Sequence, residues 1–172
     1  EVLTYIVSDS VDGIDGLDTG LITVTVTEVN DAPITSDPAN DSTNENAAIT
    51  IVVTTDSSYV TDVESDTLTF QTFSVTSTNS GGTDGTVALS SGGTGLVFTP
   101  SGEGPYNAVI AYTLSDNGET NGASDPLTVS GQITVAVTDV NDAPVAVADS
   151  GSITEDDSAT SFNVVANDTD AE

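Results

Sequence analysis

Hydrophobic and polar residues alternate along most of this chain, so the side-chain period is two, as in a β-strand, and not the 3.6 of a helix. In the clearest run, Ile49, Ile51 and Val53 fall on one face, with Thr50 and Val52 on the other. Further apolar positions that fit such short runs are Leu68, Phe70, Phe73, Val75, Val87, Leu89, Leu96, Phe98, Ile110, Tyr112, Leu114, Ile133, Val135 and Val137. Clusters of Gly, Asn, Asp and Ser separate the runs, which predicts roughly seven short strands per structural unit and no helix.

Two local features refine this strand pattern. Phe70 and Phe73 are out of phase with each other, so we expect a β-bulge between them. Gly92-Gly93 is predicted to form a turn between two strands, and the Gly-rich stretch 81–85 is predicted to form a hairpin loop. Short strands joined by such turns predict an antiparallel sandwich of two sheets.

The chain also contains an internal repeat, which fixes its organisation. The pentapeptide Val-Asn-Asp-Ala-Pro at residues 29–33 recurs unchanged at residues 140–144, and Tyr5 and its neighbours align with Tyr112 and its neighbours. The period of ~110 residues is a usual size for a β-sandwich domain. The predicted units are 1–33, the last strands of one repeat with its linker; 34–144, a complete repeat with its linker; and 145–172, the first strands of a third. The predicted fold class is therefore all-β, with tandem Ig-like Greek-key β-sandwich repeats, one complete and two partial.

Charge restricts the possible partners. The chain has 28 Asp and Glu residues and no Lys, Arg or His, giving a formal net charge of −28. Nucleic acid and anionic membrane surfaces are excluded as electrostatic partners, because no side-chain cation can contact a phosphate. No apolar run is long enough to insert into a membrane. The carboxylates have no partner charge within the chain, so an external cation is expected to neutralise them.

The nature of that cation follows from the available ligands. Asp62 and Glu64 are two residues apart, so a loop can direct both carboxylates to one point. Two such charges ~4 Å apart repel by ~1 kcal/mol in water, and by more when they are partly buried. Ca²⁺ accepts 6–8 oxygen ligands in a flexible geometry, whereas Mg²⁺ requires a tighter octahedron. Transition metals favour His or Cys, which the chain lacks. These considerations favour calcium.

The repeated pentapeptide, preceded by Glu28 or Asp139, resembles the Asp-x-Asn-Asp-x-Pro junction of cadherin repeats. It is most similar to the cadherin-like tandem repeats of large bacterial surface adhesins and biofilm-matrix proteins, and this resemblance implies cadherin/Ig-like Greek-key β-sandwich repeats. Further motifs that resemble this family are Glu45 near the end of the first strand, Asp62-Val63-Glu64 and Asp168-Thr169-Asp170 as Asp-x-Asp loops, Glu103 as the mid-domain acid and Asp116 after the penultimate strand.

This resemblance implies that each junction forms a calcium site from two neighbouring repeats. The implied ligands of the N-terminal junction are Glu28, Asn30 and Asp31 from the linker, with Asp62, Glu64 and Asp116 from the repeat that follows. The implied ligands of the C-terminal junction are Glu45 and Glu103 from the preceding repeat, Asp139, Asn141 and Asp142 from the linker, and Asp168 and Asp170 from the next repeat. Such a site binds well only when two repeats adopt one relative orientation, so calcium is expected to limit bending.

The favoured function is structural: a calcium-stiffened stalk, spacer or filament body in an extracellular, cell-surface adhesin or matrix protein, with neighbouring repeats or identical chains as partners. An adhesion module that binds carbohydrate or another copy is an alternative, although aromatic residues make up only 5% of the chain. A filament assembled by strand exchange is another. Catalysis is not expected, because a chain without His, Cys or Lys has only paired carboxylates to use. A halophilic origin would also explain the acidity, and it predicts that sodium or potassium can replace calcium.

Overall fold

The computed structural model describes residues 1–11, 14–36, 39–77 and 84–171, and these residues form strands, turns and irregular segments without a helix. The hairpin loop predicted at 81–85 lies mostly outside them. The strands, in chain order, are β1 (Val2–Val11), β2 (Ile14–Thr23), β3 (Ile34–Thr35), β4 (Ala39–Asn44), β5 (Ile49–Val52), β6 (Val60–Thr61), β7 (Thr69–Ser77), β8 (Thr86–Leu89), β9 (Gly95–Thr99), β10 (Tyr106–Ser115), β11 (Glu119–Thr120), β12 (Ala123–Ser124) and β13 (Thr128–Thr138).

Residues 34–144, which we call the complete repeat after the prediction above, contain a sandwich of two sheets. One sheet has the order β4-β13-β10-β7 and the other the order β5-β9-β8. All neighbours are antiparallel except β4 and β13, which run parallel with Ala39 opposite Ile133. The prediction of purely antiparallel sheets was therefore wrong at this pair. Strand β4 has no large apolar residue in its Ala-Asn-Asp-Ser-Thr-Asn sequence, so the hydrophobic pattern gave no sign of it.

The core lies between the two sheets and consists of the residues that alternate with polar ones in the sequence. The most deeply buried large side chains are Phe98, Ile51, Leu96, Ile110, Leu114, Ile133, Val53, Val135 and Val137. Burying each such side chain contributes roughly 1.5–3 kcal/mol before the entropy of ordering it is counted. The bulge is also confirmed: Leu114 pairs with Phe70 but Thr113 pairs with Thr72, which leaves Gln71 as the extra residue.

Acidic residues lie outside the strands of both sheets, with Asp41 in β4 as the exception. The strand registers place the loop between β6 and β7 and the loop between β10 and β13 at one end of the sandwich. We call this the linker end, because residues 28–30 contact it. The turn after β4, the loop between β9 and β10 and the chain after β13 lie at the opposite end. The charge of the repeat is thus concentrated at its two ends.

The β1–β2 hairpin has the same strand register as β10–β13. Tyr5 pairs with Gly20 as Tyr112 pairs with Gly131. In both hairpins the tyrosine ring lies over the glycine, where a methyl group would overlap it. The two tyrosines differ in burial, since Tyr112 is 3% exposed and Tyr5 is 49% exposed.

This difference gives a test of the packing. A methyl group added at Gly131 would lie 2.5 Å from Tyr112 Cζ, and the buried Tyr112 ring has little room to move away from it. We expect Gly131→Ala to lower the free energy of unfolding by ~1–3 kcal/mol, the usual cost of overpacking. Gly20→Ala is the matched control, because Tyr5 can rotate into solvent. Chemical denaturation of both variants measures the difference, and equal destabilisation would contradict this account of the glycine.

Candidate metal centres

Asn30 connects the linker to the linker end of the sandwich. Its side chain is 5% exposed, and its Nδ2 donates to Asp116 Oδ1 at 3.1 Å and to the Asp125 carbonyl at 2.8 Å. The Asn30 backbone N–H donates to Thr120 Oγ1 at 3.0 Å. These bonds leave Asn30 Oδ1 as a buried oxygen without a hydrogen-bond partner.

Asp116 follows the end of β10 and is 4% exposed. Its Oδ1 accepts hydrogen bonds from the Gly118 and Leu127 backbone N–H groups, at 3.1 and 2.8 Å, in addition to the bond from Asn30. Its Oδ2 is buried and has no partner. One oxygen of this carboxylate therefore fixes the loop, while the other remains available to a ligand.

In the loop between β6 and β7, one oxygen of a carboxylate again holds the loop in shape. Asp62 Oδ1 accepts from the Glu64 and Asp66 backbone N–H groups, both at 3.1 Å, which folds the loop back on itself. Ser65 adopts a φ of 64° within this tight turn. The turn brings one carboxylate oxygen each of Asp62, Glu64 and Asp66 within 4.8 Å of one another.

Five buried oxygens at the linker end have no hydrogen-bond partner: Asn30 Oδ1, Asp62 Oδ2, Glu64 Oε2, Asp66 Oδ2 and Asp116 Oδ2. We call these five residues, together with Glu28 and Glu119, the linker-end group. A buried polar atom without a partner costs about 1–3 kcal/mol, and more when it is charged. Desolvation raises the pKa of the Asp66 carboxyl, and the charges of Asp62, Asp116, Glu28 and Glu119 raise it further. Glu28 and Glu119 also line, with Glu64, Asp66 and Asn117, a cavity of ≈ 230 Å³.

These residues fit a bound calcium ion. Two oxygens that ligate one Ca²⁺ at 2.3–2.6 Å can be at most about 5 Å apart, and the separation within 4.8 Å meets that limit. The donors are all oxygens, from carboxylates and one amide, as a hard cation requires. Asp62, Glu64 and Asp66, whose oxygens meet this limit, would hold the ion, and Asn30 Oδ1 and Asp116 Oδ2 are further oxygens without partners at the same end of the sandwich. Glu28 and Glu119 line the cavity.

The opposite end of the sandwich carries a second acidic group. Oxygens of Glu45, Glu103 and Asp142 lie within 4.8 Å of one another. Glu45 is buried, and both of its carboxylate oxygens accept backbone hydrogen bonds, one from Gly104 and one from Val140. Glu45 is therefore fixed by the protein itself, and this group is less suited to a cation than the linker-end group.

The remaining predicted ligands lie elsewhere. Asp31 is exposed beside Asn30. Asp139 and Asn141 are not buried, and Asn141 Nδ2 donates to the Asp142 carbonyl at 2.7 Å. Asp168 Oδ1 accepts from the Val147 N–H at 2.8 Å, and Asp170 is exposed. The acidic groups found among the described residues do not include these side chains.

Two acids of the linker-end group were not predicted. Asp66 continues the two-residue spacing of Asp62 and Glu64, so the sequence did contain a signal for it. Glu119 lies three residues after Asp116, at the start of the two-residue strand β11, and the strand pattern gave no sign that its side chain lies near Asp66.

A family model described as bacterial Ig domain matches residues 30–136, so the chain belongs to that family. Domains of this family are usually parts of extracellular surface proteins and typically have no catalytic activity. The matched segment begins at Asn30, the linker residue that is buried against the sandwich. The described part of the chain contains no helix of the length and hydrophobicity needed for a membrane span.

No curated protein sequence matches this chain at a significant level. Among solved structures, a nucleoside hydrolase-related hypothetical protein from Saccharophagus degradans, associated with carbohydrate metabolism, is similar with a TM-score of 0.41 and 18% identity. The match covers 63% of this chain and 26% of that protein, so this chain spans about a quarter of its length. At this TM-score the similarity supports no conclusion about function.

The electrostatics of the linker-end group can be tested with one substitution. Asp66→Asn removes a charge from a group of like charges, so in EDTA we expect a higher melting temperature than for the wild type. Asp56→Asn is the matched control, because hydrogen bonds from Ser58 stabilise the charged form and lower the pKa of the Asp56 carboxyl. This control should melt at a slightly lower temperature. Circular dichroism measures both, and a loss of stability in Asp66→Asn would contradict the repulsion.

Proposed function

We propose that this chain is a tandem structural repeat of an extracellular bacterial surface protein, and that calcium stiffens the junction before its complete sandwich. The observation that carries the proposal is the linker-end group, where Asn30 and Glu28 of the linker meet Asp62, Glu64 and Asp116 of the repeat. A cation bound there contacts both segments at once. Calcium binding and the orientation of the linker are then coupled.

Repulsion between the carboxylates of the linker-end group favours the binding of a cation. Without a cation, several carboxylates share this site, and desolvation and neighbouring like charges raise the pKa of the Asp66 carboxyl. A divalent ion neutralises two charges and accepts the oxygens that lack partners. Extracellular calcium modules bind with Kd values of ~0.1–1 mM, and a ~100-fold excess of ligand over Kd adds ~2.7 kcal/mol to stability. That is a large fraction of the stability of a typical domain.

The distribution of charge bears on the halophilic alternative. Acids that serve mainly to keep a protein hydrated in salt would be expected over all of its surface. Here the strands of both sheets contain Asp41 as their one acid, and the other acids of the described repeat lie in loops or, for Glu119, in the short strand β11. Charge concentrated at the ends of the sandwich favours ion binding at junctions over general solvation.

The register of the β1–β2 hairpin supports the tandem arrangement. This hairpin pairs as β10–β13 does, yet Leu3, Tyr5 and Ile22 are half-exposed, whereas their counterparts in the complete repeat are buried. A face of this kind is covered when the remaining strands of a sandwich are present. An adjoining stretch of the same protein is the proposed source of those strands. Strands from another copy are the second candidate, which predicts dimers or larger species in light scattering.

Calcium should stabilise and straighten the chain. With calcium at a ~100-fold excess over Kd we expect the melting temperature to rise by roughly 10–20 °C, from the ~2.7 kcal/mol above and ~4–8 °C per kcal/mol. Small-angle scattering should show a longer, straighter particle. Sodium or potassium at equal ionic strength should produce neither change, and if they do, the halophilic explanation is correct instead.

Substitutions at the linker-end group and at exposed positions test where the stabilising calcium ion binds. Asp62→Asn with Asp66→Asn should remove most of the calcium response, because it deletes two ligands of the linker-end group. Asp149→Asn with Asp156→Asn removes the same charge from two exposed positions and should leave the response intact. A response that survives the first pair, or disappears equally in both, would rule out calcium binding at this group.

A further inference from the structure

The two copies of the Val-Asn-Asp-Ala-Pro pentapeptide differ in the burial and the hydrogen bonding of their asparagine. Asn30 of the first copy is 5% exposed, and its side chain donates to groups of the complete repeat. Asn141 of the second copy is not buried and donates to its own neighbour, the Asp142 carbonyl. The pentapeptide sequence is the same, so the difference must come from the part of the protein that each copy contacts.

The partner of the first copy is residues 116–127, which join β10 to β13 and include β11 and β12; we call this segment the docking loop. Residues of the docking loop form hydrogen bonds with Asn30 and Glu28 of the linker. Asp116 Oδ1 and the Asp125 carbonyl accept from the Asn30 side chain, Thr120 Oγ1 accepts from the Asn30 backbone, and the Asn121 N–H donates to the Glu28 carbonyl at 3.1 Å.

Gly118 shows that the docking loop is shaped for this side chain. A Cβ at residue 118 would overlap the amide group of Asn30, so the side chain occupies the volume that any larger residue would need. The Gly118 N–H also donates to Asp116 Oδ1, the oxygen that binds the Asn30 amide. The loop is thus folded around the acceptor that receives the asparagine.

We infer that the docking loop is a peptide-binding site for the junction pentapeptide, which each repeat uses to bind the linker that precedes it by hydrogen bonds, without a metal. Residues 140–144 carry the same ligand sequence, with the Val140 N–H bound to the Glu45 carboxylate, and in a chain where a complete repeat follows them they bind its docking loop. The inference rests on the tandem arrangement proposed above, but it does not depend on calcium. The asparagine amide nitrogen serves recognition, and its oxygen remains for a cation.

The test is made in EDTA, so that metal binding does not contribute. Asn30→Ala and Gly118→Ala should each lower the melting temperature by ~5–10 °C, because each removes buried hydrogen bonds to a carboxylate. The double variant should be little worse than either single variant, since both disrupt one contact. Asn141→Ala is the matched control and should be unchanged within ~1 °C. Additive losses, or equal effects of Asn30→Ala and Asn141→Ala, would overturn the inference.

Hydrogen exchange followed by NMR gives a second readout in the wild-type chain. The backbone amide of Asn30 should exchange slowly and that of Asn141 rapidly. Replacing residues 145–172 with a second copy of residues 34–144 places the same repeat after both pentapeptides. In that chain Asn141 should become protected, and Asn141→Ala should become destabilising. If Asn141 still exchanges rapidly there, the docking loop does not recognise the pentapeptide. A failure of calcium binding would leave these results unaffected.

Discussion

Repulsion among carboxylates that no side-chain cation can neutralise is the constraint on which this structure depends. With a net charge of −28 and no Lys, Arg or His, the chain cannot form an ordinary salt bridge between side chains. The sandwich accommodates this by keeping its sheets almost free of acids and collecting them in loops at its two ends. The core can then form from Val, Ile, Leu, Phe, Tyr and Ala, and the buried carboxylates Glu45, Asp84 and Asp116 lie outside this hydrophobic cluster. The remaining electrostatic cost is concentrated where a repeat meets its linker, so stability and orientation both depend on what occupies that place.

Backbone hydrogen bonds determine which carboxylates remain available to a cation. In Asp62 and Asp116 one oxygen accepts two backbone N–H groups and holds its loop in shape, while the other oxygen is buried without a partner. Glu45 at the opposite end uses both oxygens for the backbone of Gly104 and Val140. The same residue types therefore have different roles at the two ends. At the linker end they form an incomplete coordination shell, and at the opposite end a carboxylate closes a loop by itself.

The sequence predicted those parts of the fold that depend on burial. Alternation of apolar residues located β5, β7, β8, β9, β10 and β13, because each contributes large side chains to the core. It missed β4, whose polar residues are held by backbone pairing to β13, and hence the parallel pair. Of the candidate site, Asn30, Asp62, Glu64 and Asp116 were predicted and lie at the linker end. Glu119 was not predicted, since the two-residue strand β11 that carries it is too short to leave a periodic signal. Asp168 and Asp170, which were predicted to share a site with Glu45, Glu103 and Asp142, do not join an acidic group among the described residues.

The most direct test of the central claim is a crystal structure of the chain grown in millimolar calcium, with anomalous diffraction recorded at a long wavelength where calcium scatters strongly. We expect one anomalous peak at the linker end. Its ligands should be the Asn30 side-chain oxygen and oxygens of Asp62, Glu64, Asp66 and Asp116, each at roughly 2.3–2.6 Å from the ion. Water in that position, with these carboxylates turned towards solvent and no anomalous peak among them, would contradict the claim that this group exists to bind a cation.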